Sequence, residues 1–283
     1  SQVPSDLSPA EVAILLEGKV SNRAISAILI DLAKRNYINI INKDGEFYFG
    51  KRKNIDLGTI ENSPDLKDYD KILLSKIFTS NELSSNKEDI LFRVSHHVFY
   101  RKVAQVYVRI YQAATDKGYF SKDPVKSYQK HRLFGLTLFF IAFIGLIVGL
   151  FLSIEPKFFL IFWLMMLFTA TLIIKMAPHL PQRSAQGKAE LIKWLEFKNY
   201  LSKSEPIDSE QARSSLFEKY LPYAVALGCE IEWSKRFLGK PFTVPNWYIS
   251  TESVVVLEDF ANQLFPIIGF VSRALAVSRE PII

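Results

Sequence analysis

The sequence predicts a mainly α-helical membrane protein with a small α+β region near its N-terminus. Three observations predict this fold class: two adjacent apolar stretches, a helix–helix–β-hairpin order before them, and amphipathic helical segments after them. We therefore divide the chain into a winged-helix-like domain, a helical extension, two transmembrane helices and a mainly helical C-terminal domain. In that order the parts are 1–58, 59–130, 133–154, 158–174 and 178–283.

The two apolar stretches, 133–154 and 158–174, contain no ionisable side chain. As helices they would be about 33 Å and 26 Å long, against a hydrocarbon core of about 30 Å. Soluble helices usually keep one polar face, so a membrane hairpin is favoured over a soluble core hairpin. Glu155 and Pro156 predict the turn between the helices.

The flanking cations predict the orientation of this hairpin. Four precede the first stretch and three follow the second: Lys122, Lys126, Lys130 and Arg132, then Lys175, Arg183 and Lys188. The positive-inside rule therefore predicts a multi-pass protein of the cell membrane with both flanks in the cytoplasm. Gly145 and Gly149 are spaced for close helix packing, within the hairpin rather than between two copies.

Composition restricts the partners and the compartment. The formal charge is +6, from 35 Lys and Arg against 29 Asp and Glu. This excess suits anionic lipid headgroups at least as well as nucleic acid. Cys229 is the single cysteine, so no internal disulfide can form, which suits a reducing compartment. The chain starts at Ser1 without a signal peptide, and we expect it to be a fragment of a longer precursor.

Residues 4–58 predict two helices followed by a β-hairpin. Ser8, Pro9 and Glu11 are typical of a helix start with a capping box. A second helix follows Ser21, and Asp44-Gly45 predicts the turn of a hairpin. This order is that of a winged helix.

Winged helices often bind DNA, so the basic residues of this region are candidate contacts. They are Arg23, Lys34 and Arg35 on the second helix and Lys51, Arg52 and Lys53 after the hairpin. Acidic residues dilute this surface, and phosphate contacts alone would give weak, salt-sensitive binding. We favour a protein-interaction module and keep a membrane-tethered DNA-binding regulator as the alternative.

The remaining N-terminal segments predict a helix over 67–78, a polar loop over 81–89 and a long amphipathic helix ending at Gly118. His96 and His97 suggest a metal site only weakly. The side chains of adjacent residues on a helix point in different directions, and no cysteine or third histidine lies nearby in sequence.

The C-terminal region predicts helices over 188–205 and 214–227, with Gly228 as a C-cap, and an irregular stretch over 241–248. Its last apolar segment contains Glu258 and Asp259, whose burial at the bilayer centre would be costly. We therefore predict a packed or interfacial helix there, and two spans in all.

The sequence contains no motif that predicts catalysis. It lacks a Gly-rich phosphate loop, a metal-ligand spacing and a GxSxG motif. Cys229 has no nearby histidine to activate it. We predict a non-enzyme without a cofactor; a hydrolase with an unrecognised site is a third hypothesis.

Several segments resemble the YciQ-like family of predicted bacterial membrane proteins, known as domain of unknown function 2207. The segments are LSPAEVAILLEGKVSNRAISAILIDLAKRNYINI, KGYFSKDP, the apolar hairpin, QRSAQGKAELIKWLEFKNYL, FEKYLPYAVALG with Trp233, and PNWY. The resemblance covers nearly the whole chain. It implies a bacterial envelope protein whose missing N-terminal part holds a signal peptide, an extracellular β-rich domain and a first membrane helix.

The resemblance implies no catalytic residue, because the family has no established activity. Leu221, Pro222, Tyr223 and Trp233 then become a candidate packing or docking motif. The leading hypothesis is a non-enzymatic scaffold in the lipid bilayer with an unidentified protein partner and undetermined oligomeric state. Nucleic acid is a less favoured partner.

Overall fold

The structure, a computed structural model, describes residues 2–18, 22–52, 60, 62–78, 84–86, 98–120, 124–151, 158–176, 183–207 and 214–276. Within these ranges the chain forms ten helices and four strands. The helices are α1 Pro9–Glu17, α2 Asn22–Lys34, α3 Asp68–Ile77, α4 Val98–Asp116, α5 Pro124–Phe151, α6 Phe158–Met176, α7 Ala185–Leu201, α8 Ser214–Leu227, α9 Glu230–Lys235 and α10 Leu257–Ala276. The strands are β1 Ile38–Lys43, β2 Glu46–Lys51, β3 Ser84–Asn86 and β4 Tyr248–Ser250.

The local signals near the N-terminus are confirmed. Ser8 and Glu11 form the capping box at the start of α1, which ends at Gly18 in the left-handed conformation with φ 66°. Asp44 and Gly45 both have positive φ, as the tight turn between β1 and β2 requires.

The hairpin lies inside a four-stranded sheet of order β3-β2-β1-β4. Strand β3 pairs antiparallel with β2, so the prediction of a loop over 81–89 was wrong at residues 84–86. Strand β4 pairs parallel with β1, so the irregular stretch predicted to reach Tyr248 ends in a strand. Three-residue strands are too short to show the alternating pattern that identifies strands in a sequence.

The winged-helix prediction is not confirmed, whereas a mainly helical fold with a small sheet is. The helix order is present, but the β1–β2 hairpin has a further strand on each side. Helix α2 is covered by α8 and α10, which come from the other end of the chain. A recognition helix and a wing would both need a free face.

The regions before and after the apolar hairpin share one hydrophobic core. Helices α1 and α2 pack against α8, and α10 packs against α2. Trp194, Trp233 and Trp247 are fully buried together with Ile14 and Ile25. The sequence boundaries 1–58, 59–130 and 178–283 stay a prediction about independent domains.

Two long apolar helices, α5 and α6, pack against each other beside this core. Only 17% and 6% of their most apolar windows is buried, unlike the core helices of a soluble protein. Helix α5 starts at Pro124, nine residues before the predicted start at 133, because proline suits a first helical turn. The predicted turn at Glu155 and Pro156 lies outside the described residues.

Candidate functional site

A buried carboxylate near the start of α1 joins three parts of the chain. Glu11 is 1% exposed, and its Oε2 accepts a hydrogen bond of 2.8 Å from the backbone N–H of Ser8. The same oxygen accepts from Lys67 Nζ at 3.0 Å and from Lys117 Nζ at 3.2 Å. Lys67 precedes α3 and Lys117 follows α4, so Glu11 ties both helices to α1. Two cations on one carboxylate offset the cost of burying it.

A second charged cluster lies where α2 ends and α3 begins. The Arg35 guanidinium contacts Asp31 at 2.9 Å and Asp70 at 2.8 Å, and donates to the carbonyl of Asp65 at 2.9 Å. Burial raises the pKa of Asp70, an effect that the Arg35 guanidinium partly offsets. Burial lowers the pKa of Arg35, but Asp31 and Asp70 outweigh this and raise it overall. The cluster fastens α3 to α2.

A cleft of about 200 Å³ lies beside these two clusters. The hydroxyls of Ser8 and Tyr69 form a hydrogen bond of 2.7 Å at its edge. Tyr223 of α8 also lines the cleft, and its hydroxyl donates to the carbonyl of Leu7 at 3.0 Å. Burial raises the pKa of Tyr223 to about 12.

The contacts of this arrangement hold helices α1 to α4 together. The cations of both clusters contact carboxylates, and the Tyr69 and Tyr223 hydroxyls are already hydrogen-bonded. No group of three or more metal-ligating side chains occurs among the residues that the structure describes. His96 and His97 lie outside those residues.

The two ends of the apolar hairpin are joined by what we call the base clamp, residues 117–120 and 183–187. Phe120 and Arg183 form an antiparallel bridge, and Ser184 N donates to the Tyr119 carbonyl at 3.0 Å. Ser184 Oγ donates to the Gly118 carbonyl at 2.5 Å. Gly187 packs so closely that a Cβ there would overlap the Tyr119 carbonyl oxygen. The clamp therefore depends on a residue without a side chain.

Arg183 connects the base clamp to α1. Its Nε donates to the Leu15 carbonyl at 2.7 Å and its Nη2 to the Leu16 carbonyl at 2.8 Å. These carbonyls belong to the last turn of α1, which has no later helical partner for them. The cation also lies at the negative end of the helix dipole.

The structure places Gly145 and Gly149 between α5 and α6. A Cβ on Gly145 would lie 2.5 Å from the Trp163 ring, and one on Gly149 would lie 3.1 Å from Leu160. Both glycines therefore face the partner helix of the same hairpin.

Of the candidate DNA contacts that the structure describes, Arg23, Arg35 and Arg52 lie against other parts of the protein. Arg35 is bound by two carboxylates, and Arg52 donates to Asn39 Oδ1 and to the Asn246 carbonyl, each at 3.1 Å. Arg23 lies against Gly228. Lys34 and Lys51 are partly exposed, and Lys53 lies outside the described residues.

The candidate docking motif lies in the core. Leu221 and Trp233 are fully buried, and Trp233 Nε1 donates to the Phe217 carbonyl at 3.2 Å. Pro222 is inside α8 and buried, and Tyr223 reaches Leu7. Packing is the role these contacts support.

Sequence reasoning identified Glu11 as a local cap but missed its two lysines and Arg183. The lysines are 56 and 106 residues away, and Arg183 is 168 residues from Leu15. The only local signal for Arg183 is a cation close after an apolar stretch, which also fits the positive-inside rule.

These features define a class of protein: a helical membrane protein whose two apolar helices are joined at their base to one folded body. Residues 1–237 match the family described as Predicted membrane protein (DUF2207) C-terminal domain, and the chain belongs to that family. The resemblance seen in the sequence is therefore confirmed. No curated protein and no solved structure matches the chain.

The family match ends at residue 237, but the folded region continues beyond it. Strand β4 and helix α10 lie beyond residue 237, yet β4 completes the sheet and α10 packs on α2. Phe260 and Leu264 of α10 are fully buried.

Proposed function

We propose that this protein is a non-enzymatic membrane anchor whose two flanks form one cytoplasmic platform for a protein partner. The observation that carries the proposal is that residues before and after the hairpin share one sheet and one core. The hairpin then holds a single body at the membrane, because its two ends are tied together by the base clamp.

The cytoplasmic orientation is supported by cations at both ends of the hairpin. Lys130 and Arg132 begin the apolar part of α5, and Lys175 ends α6. The natural Cys229 is buried, so a Cys229→Ser background is suited to labelling. In that background we expect an impermeant thiol reagent to label Lys188→Cys only after the cells are permeabilised. Lys157→Cys, between the spans, is the matched control and should react in intact cells. The reverse labelling pattern would place the two flanks outside the cytoplasm and contradict the proposed orientation.

Partner binding is supported by apolar side chains that remain exposed on the body. Ile192 and Leu195 of α7 are 58% and 39% exposed and lie on one helical face. Exposed apolar residues that form a patch are typical of interaction sites. A second exposed pair, Ile231 and Leu238, lies in the α9 region and offers a matched control.

The test is affinity purification of the detergent-solubilised protein from its own cells. We expect one stoichiometric partner, its loss in Ile192→Glu/Leu195→Glu, and its retention in Ile231→Glu/Leu238→Glu. Repeated recovery of the protein alone would refute the platform.

A membrane-tethered winged-helix DNA regulator has less support, because α2 is covered and Arg35 and Arg52 are already engaged. It requires the full-length protein to shift duplex DNA with a steep salt dependence. That dependence should flatten when Lys51, Arg52 and Lys53 are replaced by Ala. Absence of binding at low salt would remove this alternative.

The proposed lack of catalysis includes the only thiol, which is poorly suited to act as a nucleophile. Burial raises the pKa of Cys229 to about 11, which leaves it almost entirely protonated at neutral pH. Turnover of any substrate in a broad hydrolase panel, retained after purification, would contradict this part of the proposal.

A further inference from the structure

Helix α1 is attached to residues at both ends of the hairpin. Its last carbonyls accept from Arg183, which is separated from α6 by six residues. Its first turn holds Lys117 through Glu11, and Lys117 lies seven residues before α5. The two contacts are at opposite ends of the same nine-residue helix.

The first turn of α1 also contacts the elements around the cleft. Glu11 holds Lys67, the residue before α3, and Ser8 is hydrogen-bonded to Tyr69 in the first turn of α3. The carbonyl of Leu7 accepts from Tyr223 of α8. Any displacement of α1 must therefore change the positions of the groups that line the cleft.

Helix α1 is suited to move as a rigid body. Val12, Ala13, Ile14 and Leu15 are all buried, so both faces of the helix are packed. Close-packed interiors transmit displacement instead of absorbing it, because bending such a helix would open voids. The helix also has a hydrogen-bonded cap at each end.

We propose that α1 is a coupling strut that transmits movement of the hairpin ends to the start of α3 and the cleft beside it. Tilting of α5 against α6 in the membrane would displace Lys117 and Arg183. These two residues would in turn displace α1 in the cytoplasmic body. This inference rests on the anchoring role proposed above and adds a route by which the anchor regulates the platform.

The hairpin offers two matched places at which to perturb it. A Cβ on Gly135 would lie 2.7 Å from Ile174 and 3.3 Å from its backbone nitrogen, in the half of the helix pair that leads to the base clamp. Gly149 faces Leu160 near the opposite end of the same helix pair. Leucine at either position forces the helices apart, but only Gly135→Leu does so in the half that leads to the clamp.

The test is amide hydrogen exchange of the full chain in lipid nanodiscs, read over residues 67–77. We expect Gly135→Leu to speed exchange there by about tenfold and Gly149→Leu by less than about twofold. In a Lys117→Gln/Arg183→Gln background, the effect of Gly135→Leu should fall below about twofold, because the strut is released. Exchange over residues 257–268 of α10 serves as the internal reference and should stay unchanged.

Equal effects of Gly135→Leu in both backgrounds, or no effect over residues 67–77, would overturn the strut. A uniform rise that includes α10 would mean global destabilisation and would equally overturn it. Should Gly135→Leu fail to fold, Gly135→Ala makes the same comparison with a smaller displacement. The readout needs neither a partner nor a known orientation, so a failed partner search leaves it interpretable.

Discussion

The close approach of α7 to the chain before the hairpin predicts that Gly187→Ala destabilises the body. Helix propensity alone favours alanine over glycine by about 1 kcal/mol. In this structure, however, a Cβ at residue 187 would overlap the Tyr119 carbonyl oxygen and lie 2.9 Å from its carbonyl carbon. Both atoms are backbone, so no side-chain rotation can relieve the overlap.

The cost can be estimated from what must move. Displacing residues 118 and 119 breaks two hydrogen bonds, from Ser184 N to the Tyr119 carbonyl and from Ser184 Oγ to the Gly118 carbonyl, worth about 1 kcal/mol each. Overpacking adds roughly 1–3 kcal/mol. After the helix-propensity gain, the net loss is about 2–4 kcal/mol, and we expect the apparent Tm to fall by roughly 4–16 °C.

The assay is thermal unfolding in detergent followed by tryptophan fluorescence, since Trp194, Trp233 and Trp247 are fully buried. Ala189→Gly, an exposed position of the same helix, is the control and measures helix propensity alone. A Gly187→Ala protein as stable as the natural one would refute the reasoning, because propensity would then outweigh the contact with Tyr119.

Three further predictions concern the body. Truncation after Phe237 removes β4 and α10 and so exposes β1 and α2. We expect the truncated protein to lose its cooperative unfolding transition, measured by tryptophan fluorescence. A sharp transition in the truncated protein would contradict this prediction. The raised pKa of Tyr223, about 12 against an ordinary value near 10, stabilises the folded state below pH ~10, and this contribution is lost as pH rises through about 12. Tyr223→Phe should flatten that alkaline loss, measured as unfolding free energy against pH, whereas parallel curves would count against a buried phenol. Because burial also raises the Cys229 pKa to about 11, its alkylation at pH 8 should be on the order of 100-fold slower in the folded protein than in urea, and equal rates would contradict burial.

The predictions that came from the sequence and held depend on residues close together in the chain. The capping box of Ser8 and Glu11 spans four residues, and the turn at Asp44 and Gly45 spans two. The apolar stretches are continuous, so their length alone identifies the two long helices. The family resemblance held for a similar reason, since it rests on contiguous segments.

The candidate site is different, because the contacts that join its helices to one another connect residues far apart in the sequence. The sequence around Lys117 does not indicate that its side chain pairs with a carboxylate 106 residues earlier. The β1–β4 pairing likewise joins Ile40 to Tyr248 through three-residue strand β4, which has no readable pattern of its own. The winged-helix prediction went unconfirmed for the same reason: the added strands and covering helices lie far away in sequence.

The sequence by itself therefore determined the helical class, the two long apolar helices and the family, all of which depend on local periodicity, length and contiguous segments. Only the tertiary structure decided that the two flanks form one body, that Arg183 and Lys117 hold opposite ends of α1, and that Gly187 closes the base. The physical reason is that burial and ion pairing depend on which surfaces meet. That is set by the packing of all the helices together and not by any one segment.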